Sequence, residues 1–353
     1  MTIDNIKKKI TVLDSQAMET AAGRWNSLAK PLHGMGKLEE LVIKGAGICK
    51  NPNVRYDKKG IVVLCGDNGI VEEGISQTGS EVTAVVTENF LKGKTSVCKM
   101  AEIAKAKVLP YDIGVNTDIP GLTKKKYKIA HGTKNFLKEP AMTREQAEQA
   151  ILTGVGIVEE LKEQHFDILA TGEMGIGNTT TSSAVACALT GYPVETMTGR
   201  GAGLSDEGLK RKIRVIRQGL QMYNLDSNDP VDILSKVGGL DIAGLTGVFL
   251  GCAAYKIPAV MDGFISSVAA LVAVRIEPKT AAYLFASHRS KEPAHGLILK
   301  ELGTEALLQC DMALGEGTGA CTLFPLLDMA LQVYHKMSSF QEIQVEQYEE
   351  YIK

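Results

Sequence analysis

Two acids stand where the backbone can come close to a ligand. In MALGEGTGACTLFPLLDMA, residues 312–330, Glu316 lies between Gly315 and Gly317 ahead of an apolar run. An acid with glycine on both sides has no local packing partner. It is either a reagent held at the mouth of a pocket or a solvent-facing turn residue. Glu173 ends an apolar run in TGEMGIGNTTTSSAVACAL, residues 171–189. There the glycines at 172, 175 and 177 make a turn, and Asn178 or Thr179 is placed to cap the small-residue helix that follows. Free N–H groups at such a helix start, with the helix dipole behind them, form a seat for an anion. The stretch has neither the Gly-Lys-Ser/Thr ending of a Walker A loop nor the spacing of GxGxxG. Its plainer reading is a tight turn that binds nothing.

A second glycine turn, at Gly199, Gly201 and Gly203 in TGRGAGLSDEGLKRKIRVIRQGL, leads into a helix carrying Lys210, Arg211, Lys212 and Arg214. A basic helix is usually a solvated face, so one or two of these at most are expected to meet a phosphate. SHRSKEPAHG, residues 287–296, adds Ser287, His288 and Ser290 as donors. In CGDNGIVEEGISQTGSEVT, residues 65–83, Asp67 closes an apolar run, while Glu72 and Glu73 read as exposed acids. Asp241 and Asp262 either orient a ligand or cap helices. No nucleophile elbow or Ser/His/Asp arrangement is present.

Anion seats and carboxylates without a metal or redox motif suit a phosphorylated small molecule. Exchange of a glycosidic bond to ribose 5-phosphate would use such parts. The phosphate supplies remote binding energy and positioning. A carboxylate takes a proton from the incoming nucleophile and stabilises positive charge at the anomeric carbon. On residue chemistry alone this is one option among several.

These residues need a scaffold that gathers them. Short apolar runs, GIVVLC, KVLPYDIG, FDILATG, IPAVM and AAYLFA, alternate with longer helical segments, which predicts an α/β fold with a parallel sheet covered on both faces. The polar clusters follow the strands, so GDNG, GEMGIGNTT, DGF and SHRS are expected on one rim, outside the carboxyl ends of the strands. Helical spacing marks residues 14–29 and 37–49, and the tail from Leu323 reads as one or two amphipathic helices. The chain of 353 residues fits one large α/β core with an appendage.

Lys plus Arg (39) nearly balances Asp plus Glu (41), which argues against nucleic acid or an anionic membrane as partner. The seven cysteines are scattered without a CxxC pair and read as reduced thiols of a cytoplasmic protein. The closest histidines, His288 and His295, fit no common zinc spacing, so no metal site is expected. The N-terminus has no apolar core of a signal peptide. No apolar run reaches a membrane span; the nearest, DIAGLTGVFLGCAAYKIPAVMDGF, reads as a buried helix followed by a buried strand.

Taken together and in order from about residue 10 to about 335, the motifs GDNGIVEEGIS, GEMGIGNTTTSSA, GRGAGL, DILSKVGGLDIAGLTGVFLGCA, MDGF and LGEGTGA resemble the nicotinate-nucleotide:dimethylbenzimidazole phosphoribosyltransferase (CobT) family. The resemblance implies a Rossmann-like α/β domain over residues 56–321, with helices on both faces of its parallel sheet. It also implies a small helical domain from residues 1–55 and 322–353, and a homodimer that needs no cofactor. The implied reaction moves the phosphoribosyl group of nicotinate mononucleotide to 5,6-dimethylbenzimidazole, releasing nicotinate and forming α-ribazole 5′-phosphate. Glu316 then matches the family's catalytic base and Glu173 a second acid beside the substrates. Gly175, Gly177, Asn178, Thr179, Gly201, Lys212 and Ser290 fall at phosphate- and ribose-binding positions. Thr78, Val86, Met174 and Leu314 fall at positions lining the base pocket.

In that pocket the chain departs from the best-known members, with Val86 for glutamine, Thr78 for serine and Met174 for leucine. The pocket is less polar and has a flexible thioether wall. The sequence therefore leaves open another lower-ligand base as acceptor, such as a phenol, p-cresol, adenine or a different benzimidazole. It also leaves open a heterodimer with a paralogous chain. A non-catalytic nucleotide-binding subunit is the reading of another class, and an acid at 316 argues against it.

Overall fold

The computed structural model describes residues 1–122 and 125–349. Three helices, α1 (Ile3–Lys9), α2 (Ser15–Ser27) and α3 (Lys37–Cys49), precede strand β1 (Lys59–Gly66). The chain continues through α4 (Glu81–Leu91), α5 (Ser96–Ala104), β2 (Ala106–Gly114), α6 (Arg144–Glu163) and β3 (Ile168–Met174). Then come α7 (Asn178–Thr190), α8 (Val194–Met197), α9 (Asp206–Met222), α10 (Pro230–Val237), α11 (Leu240–Tyr255) and β4 (Ala259–Met261). The last elements are α12 (Phe264–Ile276), β5 (Leu284–Ala286), α13 (His295–Glu301) and α14 (Thr318–Lys336).

All five strands pair in parallel, in the order β2-β1-β3-β4-β5. From β1 the chain first adds a strand on one side and then crosses over to build on the other. The order therefore reverses between β1 and β3, and in open α/β sheets the crevice at that switch is where ligands bind. Register makes the point concrete. Leu64 lies opposite Glu173 and Cys65 opposite Met174, so the polar segments after β1 and β3 leave the sheet side by side.

The expected cover on both faces is present. Leu64 packs against Gly244 of α11, where a Cβ would meet its Cδ1 at 2.6 Å. Ile61, of opposite parity along β1, packs against Gly317 at the start of α14. DIAGLTGVFLGCA is the buried helix expected of it. Its glycines let α6 ride on bare backbone, since a Cβ on Gly247 would lie 1.9 Å from Ile151 O.

Two expectations change and one is narrowed. The run AAYLFA is strand only in its second half, because Pro278–Tyr283 forms a 3-10 turn that starts at a proline. Of the one or two helices expected in the tail there is one, α14, which passes through Pro325, and no helix follows it among the described residues. GDNG does not line the rim but underlies it. Asp67 is buried, with Oδ2 accepting from Asn116 N–H at 2.7 Å, and Asn68 Nδ2 donates to Ile176 O at 3.4 Å.

Candidate active site

Asp262, the residue after β4, reaches across to the start of α14. Its Oδ1 accepts from Ala320 N–H at 2.9 Å, and Gly317 N–H also donates to it. Asp262 is thus a helix cap, for a helix far along the chain, and it ties the 313–317 loop to the sheet. Gly315, Glu316 and Gly317 have φ of +89°, +62° and +90°. Glycine adopts this left-handed region freely, whereas a residue with a Cβ is strained there by roughly 1 kcal/mol or more. The neighbours have no room for side chains either. A Cβ on Gly315 would lie 2.5 Å from Glu173 Oε1, and one on Gly317 would lie 2.8 Å from Ile61 Cγ2.

The loop delivers the Glu316 carboxylate, half-buried, to the N-terminus of α5. Oε2 accepts from Val97 N–H at 3.0 Å, and Ser96 N–H is a second donor. Burial raises its pKa above the usual glutamate value, and these backbone bonds only partly offset that. A carboxylate of raised proton affinity, fixed at Oε2 by Val97 N–H, is placed to accept a proton.

Behind it lies a buried polar core. Asn178 Nδ2 donates to Glu173 Oε2 and to Asp241 Oδ2, the latter at 2.9 Å. Asn178 therefore does not cap α7. Gly177, with φ +91°, is the cap residue, no side chain caps the helix, and the Asn178 amide is taken by the two acids. Burial pushes Glu173 up to about 8 and Asp241 to about 6. Glu173 thus holds a proton near neutrality, and its carboxyl also receives the Glu316 backbone N–H.

Lys212 is the one buried member of its basic quartet, at 1% exposure, while Lys210, Arg211 and Arg214 face solvent. Its Nζ donates to Thr179 Oγ1 at 2.8 Å, and burial lowers its pKa to about 8. Thr179 in turn lies against the Gly201 turn. Across the cleft, Ser290 N–H donates to His295 Nδ1 at 2.8 Å, and His295 Nε2 lies 2.9 Å from Ser267 Oγ. Because Nδ1 accepts, Nε2 carries the hydrogen and donates to Ser267; burial drives His295 down to about 3, so the ring stays neutral.

One cleft of about 220 Å³ gathers most of the expected residues. Glu316, Glu173, Gly175, Gly177, Asn178, Thr179, Gly201 and Ser290 line it, as do Val86, Met174 and Leu314. Lys212 stands behind Thr179, and Thr78 is exposed beside the lining residues Ser76 and Gln77 without lining the cleft itself. Gly175 has a packing reason as well, since a Cβ there would lie 2.3 Å from Gly66 O. Residues that the sequence did not single out are Asn68, which braces the 175–177 turn, His295, which fixes the Ser290 loop, and Glu292, which accepts from Gly201 N–H at 3.1 Å. Only the motif SHRSKEPAHG hinted at the last two.

Comparison with known proteins agrees with this geometry. The family model described as phosphoribosyltransferase matches residues 10–345. The enzyme named nicotinate-nucleotide–dimethylbenzimidazole phosphoribosyltransferase from Acetivibrio thermocellus is 48% identical over 344 residues, which is 97% of each chain. That of Ruminiclostridium cellulolyticum is 45% identical over 99% of each. The crystal structure of CobT from Thermus thermophilus superposes with a TM-score of 0.88 at 37% identity, over 94% of this chain and all of that one. A sheet switch-point cleft that seats a raised-pKa glutamate, in a chain so similar throughout its length, has one placement: this chain belongs to the nicotinate-nucleotide–dimethylbenzimidazole phosphoribosyltransferase family.

Proposed function

We propose that the cleft transfers the 5-phosphoribosyl group of nicotinate mononucleotide to 5,6-dimethylbenzimidazole, releasing nicotinate and forming α-ribazole 5′-phosphate for the lower ligand of cobalamin. The observation that carries this reading is the Glu316 carboxylate, anchored by Oε2 on α5 and raised in proton affinity, in the same cleft as the Thr179–Lys212–Gly201 seat. In nicotinate mononucleotide the base is a pyridinium, so it departs as a neutral pyridine that takes the bonding pair from C1′ and needs no acid. The acceptor has the harder task. One azole nitrogen gives its pair to C1′, and positive charge would build on the ring unless its other N–H loses a proton. Glu316 Oε1, the oxygen not bonded to Val97, takes that proton.

In this reading Lys212, Thr179, Gly201 and Ser290, with the start of α7, hold the phosphate. Gly175, Gly177 and Asn178 shape the ribose site, and Val86, Met174 and Leu314 give the acceptor an apolar wall, with Thr78 at its margin. Protonated Glu173 steadies the Glu316 peptide without adding charge near the developing cation. The reading extends to a cytoplasmic homodimer. No helix among the described residues is long and apolar enough to cross a membrane, and the seven cysteines are unpaired. The test is release of nicotinate from nicotinate mononucleotide with dimethylbenzimidazole, adenine or p-cresol offered in competition. Release that depends on dimethylbenzimidazole and favours it over the other two supports the reading; release indifferent to added base overturns it.

A further inference from the structure

The anion seat already holds an anion of the protein's own. Glu292 Oε1 accepts from Gly201 N–H at 3.1 Å, and its Oε2 lies so close to Gly199 that a Cβ there would sit 1.8 Å away. The two oxygens thus lie along the bare backbone of the 199–201 turn. Lys212 is buried, and Glu292 is the neighbouring charge that favours its protonated form. Ser290 Oγ accepts from Glu292 N–H at 3.2 Å, which leaves the Ser290 hydroxyl hydrogen free to donate into the cleft. With Glu292 in place the cleft, at about 220 Å³, falls below the roughly 300 Å³ at which ligand pockets usually begin.

A fixed carboxylate and a phosphate dianion cannot share one N–H donor, since like charges at contact repel strongly in a partly buried site. We propose that Glu292 is an internal stand-in for the substrate phosphate: it occupies the Gly201 seat in the empty enzyme and must leave for the nucleotide to enter. This rests on the reading above that the seat takes the 5′-phosphate. The stand-in satisfies the Gly201 N–H and part of the field of Lys212 while the site is empty. It also competes with bound product for the same donors. The side chain therefore sets affinity for phosphate-bearing ligands specifically, and its removal strengthens binding instead of weakening it.

A seat blocked nine-tenths of the time lowers apparent affinity about tenfold. Calorimetric titration of nicotinate mononucleotide, without acceptor base so that nothing turns over, is the test, with nicotinic acid riboside as the ligand lacking phosphate. Glu292→Gln and Glu292→Ala are expected to bind the nucleotide several-fold to about tenfold more tightly than wild type, and the riboside unchanged. Weaker or unchanged nucleotide binding in both variants overturns the inference, weaker binding being the mark of a carboxylate that grips the ribose. Equal tightening for the riboside overturns it too. If wild type prefers the nucleotide over the riboside by no margin, the phosphate reading of the seat itself falls, and that result is distinguishable because it is read on wild type alone.

Discussion

Glu316→Gln separates proton acceptance from every other task of the residue. The amide keeps the length and shape of the carboxylate, and its oxygen can still accept from Val97 N–H, where Glu316 Oε2 now accepts at 3.0 Å. The backbone at φ +62° carries the same strain with either side chain, so the loop and the cleft should stand unchanged. What disappears is the oxygen that takes the acceptor's proton. General-base catalysis contributes about 10²–10⁴ in rate, or about 2.7–5.5 kcal/mol of barrier. Steady-state release of nicotinate should then show kcat reduced by about that factor, with KM for nicotinate mononucleotide within about twofold of wild type. The pH profile adds an independent reading. Glu316 works deprotonated and burial raises its pKa, so wild-type rate should fall, as pH drops, at a pH above the ordinary glutamate value of about 4.3. That acid limb should be missing from the residual rate of the variant. A kcat within about threefold of wild type, or a loss confined to KM, would refute the assignment.

Two further outcomes follow from the buried charges. Folded Glu173 keeps its proton to about pH 8, while an unfolded glutamate loses it near 4.3. The folded state therefore binds more protons in that window, and stability should decline as pH rises through it, by on the order of 5 kcal/mol over the whole window. Asp241, raised to about 6, adds in the same direction. Glu173→Gln mimics the protonated form, so its melting temperature should fall less between about pH 5 and pH 8 than that of wild type; equal slopes would contradict the buried-proton account. Lys212, lowered to about 8, is half-charged near that pH in the empty site, and a phosphate beside it should restore its proton. Nucleotide binding at about pH 8 should take up about half a proton, read as a dependence of binding enthalpy on buffer, and Lys212→Met should abolish the uptake.

The sheet was legible because its strands, the edge strand β2 apart, are both-face apolar runs closed by polar clusters, and strand ends of a parallel sheet share one rim. The 3-10 turn at Pro278–Tyr283 was not, because three apolar residues before a short strand carry no periodicity of their own. Glu316 could be singled out from its flanking glycines, and its role as a base from the family resemblance, yet the contacts that hold it could not. The bond to Val97 and the cap from Asp262 to Ala320 join residues far apart in sequence, and only the fold brings them together. The same holds for Asn178, whose type and position suggest a helix cap, until the burial of Glu173 and Asp241 on either side gives its amide two acceptors. Lys212 could not be told from Lys210, Arg211 and Arg214 by residue type; the face of α9 that turns inward decides it. Nothing in the residue type marks Glu292, because an acid is an unexpected occupant of an anion seat.

The most direct test of the central claim is the product itself. Nicotinate mononucleotide, dimethylbenzimidazole and the protein are mixed, nicotinate is followed by chromatography, and the anomeric proton of the new nucleotide is read by NMR. Direct displacement at C1′, with Glu316 taking the acceptor's proton, predicts one nicotinate released per nucleotide formed and inversion to α-ribazole 5′-phosphate. A β product, or nicotinate released at the same rate with dimethylbenzimidazole left out, would contradict the account.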